Sequence, residues 1–246
     1  MLSKKDIFLI HSLKKKKYRQ KYKLFLVEGI KSVRELLKSS FEIEKIFCTQ
    51  EINTLFDLRK YPYQIIKEEE LKKISLVKTP NKILALVRLP DIKEEEDSLD
   101  SFTLVLDRIA DPGNLGTIIR LAYWFGIYKI YACEHTVDFF NPKVIQSSMG
   151  SFTKVDVIYK DLDKLLSKAT IPVWGAFVKG ESIYDQKEDK SPKILLLGSE
   201  SKGISKALEK YIDKKITIPP YSSSSIDSLN VSISAAILLG QLRKKI

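Results

Sequence analysis

Residues 102–120 read FTLVLDRIADPGNLGTIIR, and the fold follows from how this stretch changes character. Phe102–Asp107 is an unbroken apolar run ending in a carboxylate. Such a run, bounded by turn residues, predicts a strand buried on both faces, which is the pattern of a parallel sheet. Pro112-Gly113 marks the turn. Beyond it, Leu115, Ile118, Ile119 and Ala122 recur at the i, i+3, i+4, i+7 spacing of a helix with one apolar face, which leaves Asn114 and Arg120 off that face. In open α/β sheets ligands collect at the carboxyl ends of strands, and the backbone N–H groups of residues 114–117 at the helix start suit an anion. Spacing alone leaves Arg120 either a site residue or an ordinary surface cation.

The same alternation continues to the C-terminus. Strands are expected at Ile127–Ala132, Val155–Ile158, Val173–Phe177, Ile194–Leu197 and Lys215–Ile218, with helices between them, which makes residues 101–246 a parallel α/β domain. Two more loops leave strand ends there. LLLGSESKGIS, Leu195–Ser205, breaks at Gly198 and Gly203, residues that let backbone approach a ligand closely. Neither the GK[ST] of a phosphate-binding loop nor the GxGxxG of a dinucleotide fold is present. Glu200 lies between the glycines, as a cap for the next helix or as a ligand group. The third stretch starts at Ile216 as ITIPPYSSSSIDSLNVSISAAILLGQLRKK. Pro219-Pro220 ends the strand, Ser222–Ser225 forms a polar loop, and Ser228 is the expected N-cap of a terminal helix with Leu229, Ile233, Ala236 and Ile237 on one face. Three broken loops at strand ends point to a single cofactor pocket.

Upstream, LFLV, Gly29–Lys38, IEKIFC, a helical stretch near Glu51–Arg59, YQII, a short helix and ILALV alternate between strand and helix. Residues 1–90 therefore read as a small α/β domain of their own. Residues 91–100, DIKEEEDSLD, hold six acids against one Lys and read as a linker. The opening 23 residues carry nine Lys or Arg against the single acid Asp6. Lys14, Lys15, Lys16, Lys17 and Arg19 form the densest part, and Tyr18 and Tyr22 interleave as stacking surfaces beside cations. A solvated helix end is the alternative for that cluster.

Composition removes several classes. No apolar window approaches the 18 or so residues of a transmembrane helix, and the Lys-rich start lacks the apolar core of a signal peptide, so the expectation is a cytoplasmic protein that does not enter membranes. Cys48 and Cys133 form no CxxC, and His11 and His135 stand alone, which argues against a disulfide framework, a metal site and a hydrolase triad. The 42 basic against 31 acidic residues give a formal charge of +11. That excess favours a polyanionic partner such as RNA, or reflects a Lys-rich proteome.

Taken in order, DPGNLGTIIR, LGSESKG and IPP followed by SLNVS resemble the three motifs of the SpoU (also called TrmH) family of RNA ribose 2′-O-methyltransferases, within the SPOUT superfamily. FLVEGIKSVRELL, Phe25–Leu37, resembles the start of the small RNA-binding domain many such enzymes carry. The resemblance implies an α/β chain whose C-terminal parallel-sheet methyltransferase domain is tied in a trefoil knot, preceded by that small α/β domain. It also implies S-adenosylmethionine as methyl donor, an obligate homodimer with the active site across the subunit interface, and an RNA substrate. Gly198, Ile218 and Leu229, with Phe177, match cofactor-contacting positions. Asn114, Arg120, Glu200, Ser228 and Asn230 match the functional polar residues. The family assigns Arg120 the role of base, yet a guanidinium stays protonated at neutral pH, so the expected role is bidentate phosphate binding with the proton relayed through the phosphate. Asn114 would orient Arg120 or the RNA, while Glu200, Ser228 and Asn230 would hold the ribose and the loops. Ser199 and Ser201 depart from the usual G-N-E-G of the second motif, and Ser222–Ser225 lengthens the third. Large-subunit rRNA is the expected substrate, with tRNA and a non-catalytic RNA-binding or assembly role as alternatives.

Overall fold

The computed structural model describes residues 2–77, 79–91, 99, 101–187, 191–222 and 228–244. The acidic stretch 91–100 and the run Ser222–Ser225 lie outside these, apart from Asp91, Leu99 and Ser222. The chain forms two compact units. One is Met1–Lys93 with Asp138–Thr153, and the other is Glu94–Val137 with Lys154–Ile246.

In the first unit, α1 (Lys4–Ser12) and α2 (Lys16–Tyr22) lead into β1 (Leu24–Glu28), α3 (Ile30–Leu36), β2 (Ile43–Cys48), α4 (Gln50–Asn53), β3 (Tyr63–Ile65), α5 (Glu68–Ile74) and β4 (Ile83–Arg88). The sheet order is β1-β4-β2-β3, antiparallel at β1/β4 and β4/β2 and parallel at β2/β3. The helix expected over Glu51–Arg59 ends at Asn53. Ile52 is its one buried residue, and Leu55, three residues on, is exposed, so the next turn has little packing to hold it.

Strand β1 is apolar on both faces, and the structure supplies a cover for each. Leu24 and Leu26 join Ile10 and Leu13 at α1, Phe47, Leu71, Ile74, Leu84 and Leu86 in one core. Phe25, pointing the other way as strand alternation requires, meets Phe140 at 4.7 Å and Phe152 at 6.2 Å between ring centroids. Those two rings belong to Asp138–Thr153, which contains α7 (Pro142–Ser147) and the turn Ser151–Thr153. The sequence places this segment inside the 101–246 domain; it packs instead with the first unit, because Phe25, Phe41, Phe140 and Phe152 form one aromatic cluster.

Arg19 is tied to the same segment. It is 3% exposed and pairs with Asp138 at 2.6 Å, while Nη1 donates to the carbonyls of Leu13 (2.7 Å) and Lys14 (3.0 Å) just past the end of α1. This corrects its place among the RNA-contacting cations: Arg19 is a structural residue. Lys14, Lys15, Lys16 and Lys17 are exposed as expected. Tyr18 and Tyr22 stack at 6.2 Å with Lys17 and Lys21 over their rings.

The second unit is built on a six-stranded parallel sheet, β10-β8-β9-β5-β6-β7. The strands are β5 (Thr103–Asp107), β6 (Lys129–Ala132), β7 (Asp156–Tyr159), β8 (Val173–Ser182), β9 (Ile194–Gly198) and β10 (Lys214–Thr217). All six fall where the sequence places them, with β8 running on past Phe177. The helices are α6 (Pro112–Trp124), α8 (Leu162–Leu166), α9 (Lys206–Glu209) and α10 (Val231–Leu242). Leu115, Ile118, Ile119 and Ala122 of α6 are buried as predicted. In α10 the buried stripe is Val231, Ala235, Leu238 and Leu239, whereas Leu229 and Ile233 of the expected face remain about half exposed. That helix is apolar nearly all round, so periodicity could not choose its inner side.

Removing one partner of the Arg19–Asp138 pair strands the other charge in a largely dry site. Asp138→Ala is expected to cost about 2 kcal/mol, discounted for the partial exposure of Asp138. Arg19→Met combined with Asp138→Ala should recover most of that loss, as read from urea unfolding midpoints.

Candidate active site

Order reversal in the sheet creates the site. From β5 the chain moves outward through β6 and β7, then returns to the other side of β5 with β8 and β9, so the loops after β5 and β9 leave neighbouring strand ends. The ladder puts Asp107 opposite Gly198. Asp107 is buried, and its Oδ2 accepts from the Ser205 amide at 2.7 Å, which ties the two loops at their base. Arg108 follows with φ +59°, a left-handed conformation for a non-glycine residue, and its amide donates to Cys133 Sγ at 3.0 Å.

Asp111 then caps α6. Its Oδ1 accepts from the Asn114 amide at 2.8 Å, with Pro112 in the first helical turn. The expected anion site at residues 114–117 is thereby closed at Asn114, because a carboxylate of the chain itself occupies that donor. The D-P pair is the visible signal: Asp at an N-cap before Pro at N1.

Three of the expected polar residues meet. Asn114 Nδ2 donates to Glu200 Oε1, and Asn230 Nδ2 donates to Asn114 Oδ1 at 3.0 Å. Asn230 Oδ1 in turn accepts from the Ser232 amide (2.9 Å) and hydroxyl (2.7 Å) and from the Ile233 amide (3.4 Å). Asn230, not Ser228, is therefore the N-cap of α10. Ser228 lies two residues earlier, exposed. Glu200 caps no helix either, since Ser205 holds the N-cap position of α9.

Arg120 is exposed and, among the described residues, makes no hydrogen bond or ion pair. Six residues separate it from Asn114, which is about 9 Å along α6 and about 120° around it. Asn114 and Arg120 therefore do not share a face in one chain. Trp124, one turn beyond Arg120, is 80% exposed.

Of the cofactor-type positions, Gly198 and Leu229 lie within two residues of Glu200 and Asn230 in the chain. Gly198 ends β9, and a Cβ there would stand 2.2 Å from the Gly203 carbonyl carbon and the Ile204 nitrogen. The loop doubles back through paired hydrogen bonds between Ser199 and Gly203 (2.8 and 3.2 Å), with Gly203 at φ +62°. Ile218 follows β10 half-buried, and Leu229 precedes the α10 cap with 47% of its surface exposed. Phe177 packs partly buried against the core that holds Ile204 and Ile212, with Lys215 Nζ 4.5 Å from its ring centre.

Residues 101–240 match the model of the SpoU rRNA Methylase family. The chain belongs to that family. Residues 4–85 match the MRM3-like substrate binding domain. Over 233 residues the chain is 31% identical to the 23S rRNA (guanosine(2553)-2′-O)-methyltransferase RlmP of Bacillus subtilis, covering 93% of this chain and 92% of that one. A TrmH-family structure from Porphyromonas gingivalis superposes with a TM-score of 0.86 at 37% identity, covering 99% of this chain and 98% of that one. An AdoMet-bound rRNA methyltransferase from Sinorhizobium meliloti shares the fold, with a TM-score of 0.83 at 24% identity and coverage of 99% and 96%. S-adenosylmethionine is the family's cofactor. The residues present fit it: a loop folded back on its own backbone at Gly198 and Gly203 offers main-chain groups, and Ile218 and Leu229 are apolar and partly open, which suits a neutral adenine ring and a methionine held by main-chain groups.

Gly198→Ala is expected to displace the 199–203 loop and raise the dissociation constant for S-adenosylmethionine at least tenfold, measured by calorimetry. Asn230→Ala removes a helix cap and the link to Asn114 together, and should lower unfolding stability by about 1 kcal/mol.

Proposed function

We propose that this SpoU-family chain transfers the methyl group of S-adenosylmethionine to a ribose 2′-hydroxyl of large-subunit rRNA, acting in the cytoplasm as a homodimer whose C-terminal domain is knotted as a trefoil. The observation that carries the reading is the hydrogen-bonded line Glu200–Asn114–Asn230 across three strand-end loops. The rRNA assignment is supported by similarity to the Bacillus subtilis 23S rRNA enzyme over nearly the whole of both chains. The exposed Lys14–Lys17 run supplies phosphate contacts.

S-adenosylmethionine supplies an electrophilic methyl carbon when bound, held by the main chain around Gly198 and by Ile218, Leu229 and Phe177. The chain's own residues must align a weak nucleophile and remove its proton, and alignment alone provides a large share of the acceleration. Glu200 is oriented by the Asn114 amide, and its remaining lone pairs accept from ribose hydroxyls. Asn230 fixes Asn114 from the other side, so neither amide is free to rotate. Ser228, exposed before the α10 cap, contacts the ribose.

Arg120 completes the site from a second copy. Its distance around and along α6 from Asn114 keeps it away from the polar line of its own chain. Trp124 at the end of α6, and Leu229 and Ile233 at the start of α10, are large exposed apolar side chains that such a copy would cover. Arg120 then grips a phosphate of the substrate with its planar fork, and the ribose proton leaves through that phosphate.

Incubation with methyl-labelled S-adenosylmethionine and undermodified total RNA should place label in large-subunit rRNA as a 2′-O-methylnucleoside. Label confined to tRNA would move the substrate; no label together with no cofactor binding by calorimetry would leave an RNA-binding protein without catalysis. Arg120→Ala should abolish transfer while cofactor affinity stays within a few fold. Trp124→Glu should yield a monomer by light scattering, with transfer abolished alongside. Converting Lys14–Lys17 to Ala should weaken RNA binding and flatten its salt dependence, by about 0.7 in log–log slope for each phosphate of a single strand that those lysines neutralise.

A further inference from the structure

Helix α1 turns its apolar side inward. Ile10 is fully buried, and together with Leu2 and Leu13, which flank the helix, it joins Leu71 and Ile74 of α5 in the core of the first unit. Phe8 takes no part in that core. It is 63% exposed, the single exposed phenylalanine of the chain's eleven. Among the described residues no other ring stacks on it.

The neighbours of Phe8 on the helix surface are polar. At 3.6 residues per turn, Lys4, Lys5, His11 and Ser12 fall within about 60° of it around the axis, one turn before and one turn after. Lys4, Lys5 and His11 are exposed, and among the described residues neither lysine is in an ion pair. The one acid of the helix, Asp6, is engaged elsewhere, by Lys45 at 3.6 Å and by the Ser3 hydroxyl at 2.8 Å. His11 Nε2 donates to the Lys73 carbonyl at 2.6 Å, which ties its ring down. The run Lys14–Lys17 begins two residues past the end of the helix.

A lone exposed ring among unpaired cations fits one class of partner. A membrane takes up the apolar face of a helix, and that of α1 already lies against the core. Protein interfaces bury apolar patches whose centres are poor in Lys, whereas Phe8 has two lysines one turn away. An unpaired nucleobase needs one flat ring to lie on and cations for the phosphates beside it. Stacking accepts any base, because each has a π face.

We propose that Phe8 is a stacking platform for one unpaired base of the RNA, with Lys4 and Lys5 holding adjacent phosphates and the strand continuing onto Lys14–Lys17. The site rests on the RNA reading above and adds stacking to its charge contacts. The test is a fluorescence anisotropy titration of the full chain with labelled oligoadenosine, and with a labelled RNA duplex for comparison. Phe8→Ala should weaken oligoadenosine binding about tenfold, the scale of one lost base stack, and leave duplex binding unchanged because a paired base is not free to lie on the ring. Phe8→Trp should keep the affinity, whereas Phe8→Leu, apolar but without a π face, should lose as much as Phe8→Ala. The log–log salt slope should stay the same in every Phe8 variant, since a neutral ring displaces no counterions, and flatten when Lys4→Ala and Lys5→Ala are combined. Phe8 lies outside the core, so circular dichroism spectra should match throughout. Wild-type affinity in Phe8→Ala or Phe8→Leu, an equal loss on the duplex, or a salt slope unmoved by the lysine pair would overturn this site and leave RNA binding standing. Absence of binding to either RNA by the wild-type chain would overturn both.

Discussion

The primary amide of Asn114 holds together three loops that lie far apart in sequence. Its NH₂ group serves Glu200, its carbonyl receives Asn230, and the Asn230 carbonyl is consumed by the first turn of α10. Each member has its orientation set by the next, so the carboxylate at the end of the line is aimed by neutral amides alone. An Asp at position 114 would turn the donor facing Glu200 into a second negative acceptor, and a Gln would shift both contacts by one methylene. The whole site depends on this one group being a short amide.

That amide can act only because the sheet delivers the loops to it. Strand β5 sits between the outgoing and returning halves of the sheet, so its end lies beside that of β9, with Asp107 opposite Gly198. The Asp107–Ser205 hydrogen bond fixes the second loop at its root, and the bare Cα of Gly198 lets the loop fold back on its own strand. Backbone register and one buried carboxylate thus set positions that the polar side chains refine.

Much of this is legible in the sequence, and the exceptions have physical reasons. The central strands β5 and β9 read as continuous apolar runs because they are buried on both faces, while the edge strands β7 and β10 carry polar residues and are marked by alternation with the helices. Asn114, Glu200 and Asn230 stand out as site residues by motif resemblance, and they meet. Ser228 reads as the cap of α10, although Asn230 stands two residues on and Asn caps as well as Ser. The inward face of α10 escapes a periodic reading because the helix is apolar nearly all round, leaving no polar side to mark solvent. Arg19 looks like one more cation in a basic run; nothing local could announce that its partner, Asp138, lies 119 residues away. The same distance hides the allegiance of Phe140 and Phe152, whose cluster with Phe25 is a tertiary fact with no periodic signature.

The borrowed segment Asp138–Thr153 has a consequence for synthesis. Chain emerging from a ribosome can fold only what has already been made, and domains generally fold as units in that order. Here the first unit cannot pair Arg19 until Asp138 has been made, nor complete the cluster around Phe25 until Phe152 has, by which time β5, α6 and β6 of the second unit have been translated as well. The N-terminal unit therefore waits for its missing wall while the opening βαβ of the other is already present, and it is completed only in the midst of its neighbour's synthesis.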